Sequence, residues 1–196
     1  MMNEFKSLPV QDLTGTVQIS KPASPNSVTL DSPASEVMTD LRKLHAAVIA
    51  PNITMEVANN YMMHRGVRSL LVMNSDDSLA GIITAGDILG EKPMRFIQER
   101  GVKHSDILVR DMMTSLQNLE AIPLEEVAHA RVGNIAASLR EADRLHQLVI
   151  DYDASGLPKI CGIFSWTQIE KQLGTIIPRN NVAKSFAEIE STLIAS

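Results

Sequence analysis

The sequence predicts an α/β protein of the α+β kind, built from two βαββα repeats in one chain. Three observations predict it. The phrase Gly-Ile-Ile-Thr-Ala-Gly-Asp at 81–87 returns as Gly-Ile-Phe-Ser-Trp-Thr-Gln at 162–168. Each phrase closes a pair of apolar stretches joined by turn-forming residues, 69–73 with 79–83 and 147–150 with 159–164. Each pair follows a Met-Thr phrase, Val37-Met38-Thr39 in one half and Met112-Met113-Thr114 in the other.

Residues 1–34 carry Pro9, Gly15, Pro22, Pro25 and Pro33 among many Ser and Thr, the composition of an extended arm. Short strands fit Thr16–Ile19 and Ser27–Leu30; plain disorder fits the same composition. The first repeat covers 35–92 and begins with a turn or helix start at Ser35–Asp40. Ala47–Ala50 is a short strand, stopped by Pro51-Asn52. Thr54 caps a helix running to Arg65; Val57/Tyr61 and Ala58/Met62, at i,i+4, share its buried face, and Gly66 ends it. Ser69–Met73 is a buried strand, Asn74–Ser78 a turn and Leu79–Ile83 the returning strand, after which Thr84 opens a helix to Leu89. The segment 93–107 holds a helix, Pro93–Arg100, ended by Gly101. In the second repeat, 108–175, Leu119–Ile122 takes the place of the short strand, and one helix runs from about Leu124 to Ala142, longer than its counterpart by about two turns. Gln147–Ile150, the turn Asp151–Gly156 and Lys159–Phe164 complete the pattern, and Ser165 opens a helix through Leu173. The remainder, 176–196, sets Val182, Phe186, Ile189 and Leu193 at the spacing of an amphipathic helix.

Composition narrows the function. The 196 residues are 44% apolar, enough for a real core. A net charge of −5 argues against nucleic acid as partner, since that affinity rests on cations neutralising phosphates. Aromatics are 4%, too few for a base-stacking platform. The single cysteine, Cys161, excludes an internal disulfide and fits a reducing cytoplasm. No apolar run approaches the roughly 20 residues that span a bilayer, and the start of the chain lacks the pattern of a signal peptide, so a cytoplasmic protein with no membrane partner is expected.

The order Val-Met-Thr, helix, apolar strand, then Gly-h-h-Thr/Ser-x-x-Asp (h, apolar) resembles a CBS domain of the cystathionine-β-synthase type, and two in tandem resemble a Bateman module. The resemblance covers about 35–90 and 108–174; the first motif matches fully and the second departs at Gln168. With no catalytic domain beside them, the repeats resemble a stand-alone CBS pair. The resemblance implies pseudo-twofold packing of two small mixed sheets with helices outside. It also implies clefts between the repeats that bind adenosine-containing ligands: AMP, ADP, ATP or S-adenosylmethionine. A regulatory role toward a protein target and a homodimer follow from the same resemblance. A structural or interaction dimer that has lost its ligand is the alternative, favoured by Gln168 and the lengthened helix.

Thr84-x-x-Asp87 and Ser165-x-x-Gln168 each fit a strand-to-helix junction with a capping box, and capping alone explains both. A ligand site uses the same geometry, because a helix start leaves free N–H groups. In the family the hydroxyl and carboxylate at these positions bind the ribose diol. A carboxylate suits that task as an acceptor for two hydroxyls; glutamine has one acceptor oxygen and no charge. Thr84 and Asp87 are therefore the expected ribose site, lined by Gly81, Ile49 and Ile83. Ser165 and Gln168, with Ile122 and Ile163, form a weaker second site that keeps its cap. Isoleucines at such positions are more often plain core. Arg68 and His146, at the starts of the inner strands, are phosphate candidates; a solvated strand-end charge explains Arg68 as readily.

Other signals are set aside. Asp151-Tyr-Asp-Ala-Ser-Gly156 opens like a calcium loop, but Gly162 stands where the twelfth-position glutamate is required. The five histidines (45, 64, 104, 129, 146) have no paired metal spacing, so no metal and no required cofactor are expected. No general acid–base pair can be placed beside a nucleophile, so no enzyme is expected.

Overall fold

The computed structural model describes residues 7–20 and 28–178. The expected helix at 182–194 lies outside them, as does Ser27. Residues 7–20 are exposed and belong to no helix or strand, and Thr16–Ile19 forms no strand: Val17 and Ile19 are 58% and 92% exposed. A strand needs a neighbour for its N–H and C=O groups. Val28–Leu30 is not a strand either: it runs into a turn in which Ser32 N donates to Thr29 O at 3.1 Å.

The first repeat runs through a 3₁₀ turn at Ala34–Glu36, then β1 (Thr39–Asp40), β2 (Val48–Ile49), α1 (Met55–Arg65), β3 (Ser69–Met73), β4 (Leu79–Thr84) and α2 (Ala85–Leu89). Next comes α3 (Lys92–Arg100). The second repeat holds α4 (Val109–Met112), β5 (Thr114–Ser115), β6 (Ala121–Pro123), α5 (Leu124–His129), α6 (Val132–Glu141), β7 (His146–Tyr152), β8 (Pro158–Ser165) and α7 (Trp166–Leu173). Helix α1 starts where Thr54 Oγ1 accepts from Val57 N–H at 3.4 Å, and it ends at Gly66, whose φ of 64° is left-handed. Its buried stripe is Met55, Ala58 and Met62. Val57 and Tyr61, expected on that stripe, are 52% and 36% exposed. The two i,i+4 rows lie about 100° apart round the helix, and only one faces the sheet.

The sheets do not follow the repeats. One has the order β2-β3-β4-β5, the other β1-β8-β7-β6. Each repeat thus donates its first short strand to the other repeat's sheet: β1 pairs with β8 at Thr39↔Ile163, and β5 with β4 at Ile82↔Thr114. The rest of the register is matched as well. The β3–β4 ladder shifts beside Val72↔Gly81, and the β7–β8 ladder beside Val149↔Gly162. Leu71, Ile82 and Leu148 form the apolar layer between the sheets. Helix-covered cores lie on the outer faces, around Met55, Leu70 and Ile83 on one side and Leu139, Phe164 and Ile169 on the other.

The long helix expected at 124–142 is broken. Ala130 and Arg131 are extended (ψ 154° and 162°). The residues just before the first repeat use the break: Ala34 N donates to Ala130 O, Val132 N to Ser32 O, and Gly133 N to Leu30 O, all within 2.9 Å. Leu30 passes so near that a Cβ on Gly133 would lie 3.2 Å from its carbonyl. The segment before the second repeat does the same to α1, with Met55 N donating to Ile107 O and Val109 N to Ile53 O. Thus α6 is the counterpart of α1, and α5 is an insertion.

Gly81 and Gly162 make room for the exchanged strands. A Cβ at Gly81 would sit 2.3 Å from the Thr114 backbone oxygen; one at Gly162 would meet the flexible Met38 side chain, Sδ at 2.5 Å. Gly81→Ala is therefore expected to destabilise by about 1–3 kcal/mol or more, and Gly162→Ala by less. Urea unfolding of the two variants checks this, and equal costs would show that the strand exchange does not set the glycine requirement.

Candidate functional site

The two motif junctions diverge in structure. Thr84 Oγ1 accepts from Asp87 N (3.2 Å), while Asp87 Oδ2 accepts from both Thr84 N (2.9 Å) and Thr84 Oγ1 (2.6 Å). This is a closed capping box. The other oxygen, Asp87 Oδ1, takes an ion pair from Lys92 Nζ. At the second junction the cap expected from Ser165 and Gln168 is absent. Ser165 Oγ instead lies 3.2 Å from Thr167 Oγ1. A neutral amide oxygen can close such a box, as Asn134 Oδ1 does by accepting from Arg131 N (2.8 Å), but at Ser165 and Gln168 the box is open.

Each junction faces a cleft between the repeats. The cleft at Thr84 and Asp87 is about 170 Å³, and its walls include Ile82, Leu148 and the Arg144–Glu120 ion pair (2.7 Å). The cleft at Ser165 and Gln168 is about 950 Å³. Small-molecule sites run to about 300–1,000 Å³, a range the second cleft reaches. Its lining includes Arg65, Arg68, Lys171, His45, His64 and His146 and, among the described residues, no Asp or Glu. None of its three Lys/Arg cations is ion-paired with a described residue.

The geometry separates the residues expected together. Arg68 and His146 are not equivalent. Ala85 N donates to Arg68 O and Trp166 N to Leu145 O, both at 2.9 Å, so Arg68 matches Leu145, and Ser69 matches His146. Arg68 therefore lines the larger cleft, opposite the second motif, rather than the Thr84–Asp87 cleft. His146 lies in the wall of both. Ile163 lines the larger cleft, whereas Ile83 is fully buried under the helices and Ile49 and Ile122 pack against the two outer cores. Gly81 is packed against β5 and faces neither cleft. Lys92, Lys171 and Arg65 were missed. Lys171 had a legible signal, standing three residues after Gln168 on one face of α7. Lys92 had none, because its pairing depends on how α3 folds back.

The His146 Nδ1 is buried with no hydrogen-bond partner among the described residues. Burial pushes its pKa from the ordinary 6.5 down to about 4; Asp87 pulls upward and Arg68 pushes further down. The ring is thus neutral near pH 7. The calcium-like turn is a hairpin, with Asp153 Oδ1 accepting from Ser155 N, Ser155 Oγ and Leu157 N. Among the described residues no group of three or more His, Cys, Asp or Glu is placed to hold a metal ion, and no helix is long and apolar enough to cross a membrane.

Residues 34–93 match the family model of the CBS domain. A stretch of 81 residues is 33% identical to the inosine-5'-monophosphate dehydrogenase of Thermoplasma acidophilum, spanning 41% of this chain and only 15% of that enzyme. Solved structures of similar fold include an uncharacterized conserved protein from Pyrococcus horikoshii (24% identity, TM-score 0.54, 77% of this chain and 98% of that one). Another is a CBS-domain containing protein from Agrobacterium tumefaciens (17% identity, TM-score 0.50, 67% and 87%). At these identities the likeness is one of fold.

Two outcomes follow from the junctions and the buried ring. Thr84→Ala opens the capping box and is expected to cost about 1–2 kcal/mol, whereas Ser165→Ala stays within about 0.5 kcal/mol; thermal or urea unfolding that ranks them equal contradicts the assignment. The folded pKa of His146 lies below its unfolded value, so the unfolded chain binds the proton first and stability falls as pH drops from 6.5 toward 4. By pH 5 the loss attributable to this ring is about 2 kcal/mol. His146→Gln should remove that part of the acid sensitivity, and a variant as acid-sensitive as the parent would show that the ring does not cause it.

Proposed function

We propose that this tandem CBS-domain protein is a regulatory module that binds an adenosine-containing ligand (AMP, ADP, ATP or S-adenosylmethionine) in the larger cleft and passes the change to a partner protein. One observation carries the reading: a cleft of about 950 Å³ whose walls come from both repeats, with Arg68 on one side and Ser165, Gln168 and Lys171 on the other. Its polar groups are not closed into a cap, as those of Thr84 and Asp87 are. Ile163, Leu41 and Leu71 supply apolar wall for a base, and the cations supply the phosphate end. A ligand there touches both repeats at once, so its binding energy acts on their relative placement. In this reading Thr84 and Asp87 start α2 and hold Lys92.

The test is a thermal shift followed by calorimetric titration with the four compounds. A ligand at a hundred times its Kd stabilises the native state by about 2.7 kcal/mol, a readily seen rise in Tm. Arg68→Glu is expected to weaken binding at least tenfold, since it inverts a charge in the cleft, and Asp87→Asn to leave it within about twofold. If none of the four raises Tm, the ligand-free interaction dimer is the better reading. If Asp87→Asn abolishes binding and Arg68→Glu does not, the site belongs in the smaller cleft.

A further inference from the structure

The charge pattern of the larger cleft says more about the ligand than its size does. Arg65 and Arg68 approach from the end of α1 and the start of β3, and Lys171 from α7. Within a chain of net charge −5, these cations share one concavity with three histidines and, among the described residues, no carboxylate. Such a surface attracts each added anionic group on a ligand. Its described residues offer no carboxylate that could take hydrogen bonds from two adjacent hydroxyls at once; Gln168 presents a single neutral acceptor.

Resting on the site proposed above, we infer that this cleft selects its ligand by the number of phosphate groups and is indifferent to the ribose diol. Its ligand class is the nucleoside polyphosphates, ribo- and deoxyribo- alike. Charge-assisted contacts between guanidinium or ammonium and phosphate supply the affinity, and because the cations are exposed that affinity is screened by salt.

The experiment is calorimetric titration of the full chain with AMP, ADP, ATP and 2'-deoxy-ATP, at low and at physiological salt. Affinity is expected to rise about tenfold from AMP to ATP, the size of one charge-assisted contact. 2'-Deoxy-ATP should bind within about twofold of ATP, and salt should weaken ATP more steeply than AMP. Arg68→Ala combined with Lys171→Ala should bring ATP down to the AMP level. Gln168→Asp should create a preference for ATP over 2'-deoxy-ATP while weakening both. If AMP binds as tightly as ATP, or 2'-deoxy-ATP is tenfold weaker than ATP, this inference is overturned while the adenosyl site stands. If none of the nucleotides binds, this inference falls, and the adenosyl site falls with it when S-adenosylmethionine fails to bind as well.

Discussion

Each sheet of this protein is completed by a strand of two residues donated by the other repeat, and most of the architecture depends on that exchange. The donated strands, β1 and β5, are too short to persist alone; they are held by ladders of hydrogen bonds to β8 and β4. For each to lie close, its neighbour must lack a side chain where it crosses, and that is where Gly81 and Gly162 stand. The glycine that opens each repeated phrase is thus a packing requirement of the seam. The same seam brings the end of one repeat's β-hairpin opposite the start of the other's inner strand, and the two clefts are what remains between them.

The local parts of the fold were legible because local chemistry determines them. Thr54 and Gly66 bracket α1 as capping and left-handed geometry require, and Ser69–Met73 forms the strand its apolar run implies. The non-local parts were not. Nothing in Thr39–Asp40 states that its partner is β8 rather than a strand of its own repeat. The run at 124–142 reads as one helix because its apolar spacing continues through Ala130; the interruption is imposed by Leu30–Ala34, about a hundred residues upstream, which bonds to the backbone there. The pairing of Arg68 with His146 failed by one residue, and in a strand one residue reverses the face.

The candidate site shows the same division between what a side chain is and what it is already doing. Asp87 has the chemistry a diol wants, and the sequence shows that much. Its oxygens, however, already take hydrogen bonds and an ion pair from Thr84 and Lys92, and its cleft is the smaller of the two. Gln168 looks like the degraded copy, yet it stands beside the larger and more basic cavity. A motif match ranks residue types; accommodation is decided by volume and by which hydrogen-bonding groups are left uncommitted.

The exchange also imposes an order in time. Synthesis runs from the N-terminus, and β1 leaves the ribosome long before β8 exists to receive it. The first sheet has β2, β3 and β4 early but keeps an open edge until Thr114–Ser115 follows. Leu30–Ala34 waits longer than that edge, though not as long as β1, for the start of α6. The nascent first half therefore carries an unpaired strand edge and an unplaced strand that only the second half can satisfy, so the two halves mature together rather than one after the other.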